Sequence, residues 1–206
     1  AAKPGRDEQL ALVRGFAVGA TKADAPKIKE ILDGGMPGLA VDTEMRWVLV
    51  KALADRGVFG DKEIDAELAR DNTADGARHA AEARALIESA SSKEATWKAL
   101  TTTDLSNHIQ RHMLIGFNCP FQQDLYEPYV DKYFATVKKI WDENSYEIGK
   151  QFADFAFPRY APTAANLAKA EKWIADNSDA SDGVMRCVKE GRDALVRALN
   201  AQKADA

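Results

Sequence analysis

Apolar residues recur every three to four positions in one segment after another, and no stretch combines β-branched alternation with a hairpin dipeptide. Only a helix gathers such positions onto one face, so the chain is expected to be all-α. In GLAVDTEMRWVLVKALADRG, Met45, Val48, Leu49, Ala52 and Leu53 fall at helical spacing, with Asp42 placed as cap and Gly57 as terminator. Ile64 and Leu68 lie one turn apart in DKEIDAELARDN. An alanine-rich helix follows from about Asp75 to Ser89, with Ala80, Ala83 and Ile87 as a narrow stripe. SSKEATWKAL opens another, with Ser91 or Ser92 as cap and Trp97 and Leu100 as buried anchors.

Further along, Leu125, Tyr129, Val130, Tyr133, Phe134, Val137 and Trp141 keep the same period, and Pro128 stands near the start, where a missing amide costs least. SYEIGKQFADFAFP places Ile148, Phe152 and Phe155 inward and closes at Pro158. TAANLAKAEKWIADNS and GVMRCVKEGRDALVRALNAQ complete the series. About ten or eleven short helices joined by brief turns favour stacked antiparallel pairs over a bundle of a few long helices. The pairs share no strict repeat, so the expected architecture is an irregular HEAT-like array, a single domain over residues 1–206. The four tryptophans, at 47, 97, 141 and 173, and Tyr126, Tyr129 and Tyr133 are read as core.

Composition narrows the function. With 46% hydrophobic and 29% charged residues the chain has the balance of a soluble globular protein, and 206 residues suffice for a large core. A net charge of −4 lacks the basic footprint of phosphate neutralisation, so no nucleic-acid partner is expected. No apolar run reaches membrane-spanning length and AAKPGRDEQL has no signal-peptide core, so no membrane is expected and the location is read as cytoplasmic. Cys119 and Cys187 form neither a metal motif nor a disulfide framework. A chain that opens on Ala1, not Met, reads as a piece of something longer.

One stretch tests for catalysis. In DLSNHIQRHMLIGFN, His108 and His112 stand one helical turn apart, as in the zinc-protease helix H-E-x-x-H, whose Glu is the general base. Here Ile109 holds that position, and an alkyl group accepts no proton. His79, Cys119 and Cys187 are not at ligand spacing from this helix, so no catalytic residue and no metal ligand is assigned. Nucleotide-binding, hydrolase-elbow and calcium-loop motifs are also missing. Among polar residues, Arg46 beside Trp47, and Gln110 with Arg111 on a helix whose Ile109, Met113 and Phe117 point inward, are the candidates for contacting a substrate. A guanidinium there is expected to meet a carboxylate.

The phrases GLAVDTEMRW (38–47), EIDAELARDNTADG (63–76), GFN-x-P-x-Q (116–122), EPYVDKYF (127–134) and EGRDALVRAL (190–199) resemble the C-terminal domain of actinobacterial aminopeptidase N. These zinc-dependent aminopeptidases are related to the puromycin-sensitive and endoplasmic reticulum enzymes. The resemblance implies a helical domain that walls the substrate chamber of a four-domain metallopeptidase and contacts peptide. Its partners would be the parent's own catalytic domain and the peptide, and its zinc would lie in that catalytic domain, with no cofactor in this chain. The alternative expectation is a non-enzymatic helical scaffold that binds another protein.

Overall fold

The computed structural model describes residues 4–204; the Ala1 start lies outside the described residues. Those described are helical, with twelve α-helices, two 3-10 turns and no strand among them, as the periodicity requires. The chain packs as two units, residues 1–92 and 93–206.

The first unit contains α1 (Asp7–Gly19), a 3-10 turn (Lys22–Asp24), α2 (Ala25–Leu32), α3 (Thr43–Asp55), α4 (Asp61–Arg70) and α5 (Ala74–Leu86). Asp42 caps α3 by accepting the Met45 amide at 2.8 Å, and Gly57, at φ +67°, stands just past the helix end. The stripe read from sequence is buried apart from a half-exposed Val48, but so are Trp47, Val50 and Ala54. The physical reason is that α3 packs against α1, α2 and α5 together and has no free face. Trp47 still satisfies its indole by donating Nε1 to Asp71 Oδ2 at 2.8 Å, which holds the Asp71 carboxyl below its ordinary pKa. A Cβ on Gly76 would lie 2.0 Å from the Asp71 carbonyl, so the turn before α5 can close only over a glycine. The α5 helix ends at Leu86, three residues short of the expected limit, with Ile87 already extended at ψ 122°.

Most of the second unit's helices surround an aromatic core. They are α6 (Ala90–Thr102), whose first turn carries the unit boundary, α7 (Asn107–Phe117), α8 (Gln123–Tyr126), a 3-10 turn (Glu127–Tyr129), α9 (Val130–Glu143), α10 (Tyr146–Phe155), α11 (Ala164–Asp176) and α12 (Asp182–Ala204). Ser89, not Ser91 or Ser92, accepts the Ser92 amide at the start of α6, at 3.1 Å. The continuous helix expected around Pro128 is broken into α8, the 3-10 turn and α9. That proline sits in the turn, where no amide is missed.

Trp97, Phe117, Tyr126, Tyr129, Tyr133, Phe152 and Phe157 pack mostly edge-on or tilted, at 5.0 Å between the Phe117 and Tyr129 centroids, while Tyr133 and Phe152 stack at 6.2 Å. Trp47, Trp97 and Trp173 are buried as expected, and Trp141 is half-buried. Buried donors then close the helix ends. Tyr133 Oη donates to the Ala153 carbonyl at 2.8 Å, and Asn118 Nδ2 donates to the carbonyls of Phe155 at 2.9 Å and Phe157 at 2.6 Å. Lys93, fully buried, donates its ammonium to the Gly116 and Phe117 carbonyls at 3.2 and 3.1 Å, at the C-terminal end of α7.

Candidate functional site

Two of the three residues singled out from sequence are committed to the fold. Arg46 reaches from α3 to α4 and donates Nε and Nη2 to the two Glu67 oxygens at 2.7 and 2.6 Å. Its Nη1 donates to the Leu32 carbonyl at 3.3 Å. Glu67 is 4% exposed, so this fork ties three helices and leaves little of the guanidinium to a ligand. Gln110 is buried and donates Nε2 to the Ile148 carbonyl at 2.8 Å. The buried line of α7 therefore runs through Gln110, Leu114 and Phe117, with Ile109 and Met113 only half-buried. His108 is exposed and His112 half-buried.

Arg111 is the candidate left at a surface. Its guanidinium carbon stands 4.8 Å from the centroid of the Phe155 ring, so it meets an aromatic face and not the expected carboxylate. Stacking of this kind leaves the edge N–H groups of the fork free to donate.

Phe155 also lines a cavity of about 340 Å³ in the second unit. Its walls are the end of α10, supplying Asp154 and Phe155, then Arg159, and one face of α12 carrying Cys187, Glu190, Gly191, Ala194 and Arg197. On α12 these positions run i, i+3, i+4, i+7 and i+10, which is why one helix contributes a whole wall. Gly191 permits the close approach, since a Cβ there would lie 2.6 Å from atoms of the Phe157 ring.

The charges of this cavity are unevenly engaged. Asp154 accepts Lys150 Nζ at 2.7 Å and the Cys187 thiol, and the Arg159 guanidinium donates to the Asp154 carbonyl. Arg197 forms no ion pair among the described residues and is exposed. Burial, reinforced by the Asp154 carboxylate, pushes the Cys187 thiol up to about 12, which keeps it protonated and unreactive at neutral pH. The cavity thus carries two guanidinium groups, Arg159 and Arg197, against two carboxylates, Asp154 and Glu190, beside the Phe155 ring, and the exposed Arg197 is the donor with no ion pair among the described residues. Arg159 and Arg197 were missed in the sequence. The face of α12 was legible in EGRDALVRAL, but the approach of α10 that makes it a wall was not.

The described residues define an all-helical protein whose second unit carries a polar cavity with two arginines and two carboxylates. The ERAP1-like C-terminal domain family matches residues 2–197, and the chain belongs to that family. Among curated proteins it is similar to "Aminopeptidase N" of Streptomyces lividans, 39% identical over 210 residues that take in the whole of this chain. The match covers 24% of that protein, so the chain spans about a quarter of the relative's length, at its C-terminal end.

Proposed function

We propose that these 206 residues form one non-catalytic C-terminal domain of a zinc aminopeptidase, walling the chamber in which N-terminal residues are removed from peptides and holding the far end of the peptide. The observation that carries the reading is the family membership across residues 2–197, joined to an aminopeptidase N relative four times as long. It favours the aminopeptidase domain over the free-standing scaffold. The chemistry of bond cleavage would belong elsewhere in such a parent, where a bound zinc would supply a Lewis acid and a metal-activated water; no H-E-x-x-H motif occurs in this sequence.

What this chain's own residues supply is a carboxylate seat. Arg111, set by the Phe155 ring, and Arg159 and Arg197, set around the neighbouring cavity, present donors that match a peptide's terminal carboxylate. Helices adjacent in sequence pack on one another within each unit, α2 on α3 and α4 on α5 in the first, α9 on α10 and α11 on α12 in the second, which supports the irregular HEAT-like stacking as part of the proposal. No helix among the described residues is long and apolar enough to cross a membrane. Both cysteines are buried thiols, and the location proposed here is cytoplasmic.

The test is kinetic and uses the full-length parent. Arg111→Ala is expected to lower kcat/KM for a peptide of several residues by roughly tenfold to a hundredfold, the loss of one charge-assisted hydrogen bond of about 1.5 to 3 kcal/mol. A single aminoacyl reporter fills only the zinc site and is expected to be unaffected. An unchanged ratio between the two substrates would remove Arg111 from the substrate path, and an equal loss on both would assign it to domain closure.

A further inference from the structure

The first unit carries an apolar groove of about 460 Å³, lined by Leu12, Val13 and Phe16 of α1, Ile31 of α2, and Met36 and Pro37 of the following turn. Pro4, Gln9 and Lys27 also line it. Its wall is a fixed structure. Gln9 accepts the Gly5 amide at 2.8 Å and donates to the Pro37 carbonyl at 3.0 Å, clamping the segment before α1 onto the turn after α2. That segment also crosses Gly38 so closely that a Cβ there would lie 2.6 Å from the Pro4 Cβ. Despite this order, Leu12 remains 61% exposed, an apolar side chain left on a preformed apolar surface.

We infer that this groove seats the polypeptide that precedes this region in the longer protein, an inference that rests on the aminopeptidase reading above. The relative supplies the length argument: the matching segment is its C-terminal quarter, so about three quarters of that chain comes before. A preceding segment would enter beside Pro4, itself part of the groove's lining. Tethering at that point gives the incoming segment an effective concentration in the millimolar range against the groove, an advantage that a second copy of the chain does not share. The occupant is therefore an apolar, covalently continuous stretch, packed on Leu12, Phe16 and Met36.

The experiment places a photo-crosslinking amino acid at Leu12 in the full-length protein, with Val58, 48% exposed in the same unit and outside the groove, as control. Mass spectrometry should find the Leu12 crosslink within one chain, to a peptide upstream of residue 1, at a yield on the order of tenfold above the control. Crosslinks between two chains, or a yield equal to the control, would overturn the inference. Leu12→Asp in the same protein should increase proteolytic cutting near the start of α1, and unchanged cutting would also count against it. If the gene encodes no upstream metallopeptidase region, the aminopeptidase reading itself falls. An upstream region that is present but not crosslinked defeats the groove assignment alone.

Discussion

Arg46 and Glu67 illustrate what single residues contribute. The pair is bidentate and its carboxylate is buried, so removing one partner strands a charge. Arg46→Ala, which strands the buried carboxylate, should cost about 3 kcal/mol or more in urea denaturation, and the double change Arg46→Ala with Glu67→Ala should cost less than Arg46→Ala alone. A cost below about 1 kcal/mol would return the pair to the exposed class. Nothing in the sequence marks Glu67, because its partner lies 21 positions away and only the packing of α3 on α4 joins them. Gln110 was singled out for its amide, yet that amide is used inside the fold.

Cys187 gives a pH signature at the same scale. Its thiol moves from an ordinary 9.0 up to about 12 in the folded chain through burial. Between those values the unfolded chain has lost a proton that the folded chain keeps. Stability therefore falls as pH rises through that window, by at most about 1.4 kcal/mol per pH unit for this group. Cys187→Ser should flatten that part of the stability profile between pH 8 and 9, below the range in which the buried tyrosines, which ionise from 10.0 when unfolded, join. Identical slopes in the two proteins would contradict the assignment.

Elements are governed by their ends and their close approaches. The caps at Asp42, Ser106, Ser145 and Thr163 each accept the amide three residues on, and such short polar residues ahead of apolar periods are readable in a sequence. The first two helices were not assigned from sequence. Ile28, Ile31 and Leu32 carry the helical spacing in α2, but Pro26 and the glycines at 34, 35 and 38 crowd an eight-residue helix and obscure it. Asn118 was visible only as part of a family phrase, and its task of holding the end of α10 needs two segments 37 and 39 residues apart. Gly191 shows the same limit, since the Phe157 ring that excludes a side chain there is distant in sequence. Gly191→Ala should destabilise the protein by about 1 to 3 kcal/mol through overpacking, measured by thermal or urea unfolding, and a neutral result would mean that Phe157 yields freely.

At the scale of the whole molecule, the all-α class was legible because a repeated period of three to four residues admits no other element. The division into two units was not, because the boundary falls inside the first turn of α6, where the polar run ESASSK reads as a helix start and no glycine or proline breaks the chain. The second-unit cavity was legible only in part, as one face of α12, with Arg111 read beside it but not as a neighbour of Phe155. The proposed function has that cavity hold a peptide's terminal carboxylate while bond cleavage proceeds elsewhere in the parent. The most direct measurement compares, in the full-length protein, two peptides identical except for a free carboxylate or an amide at the C-terminus. The wild type should favour the carboxylate in kcat/KM by roughly tenfold or more, and Arg197→Ala should erase most of that preference without changing turnover of an aminoacyl reporter. Equal rates for carboxylate and amide in the wild type, or a preference that survives Arg197→Ala intact, would contradict the account.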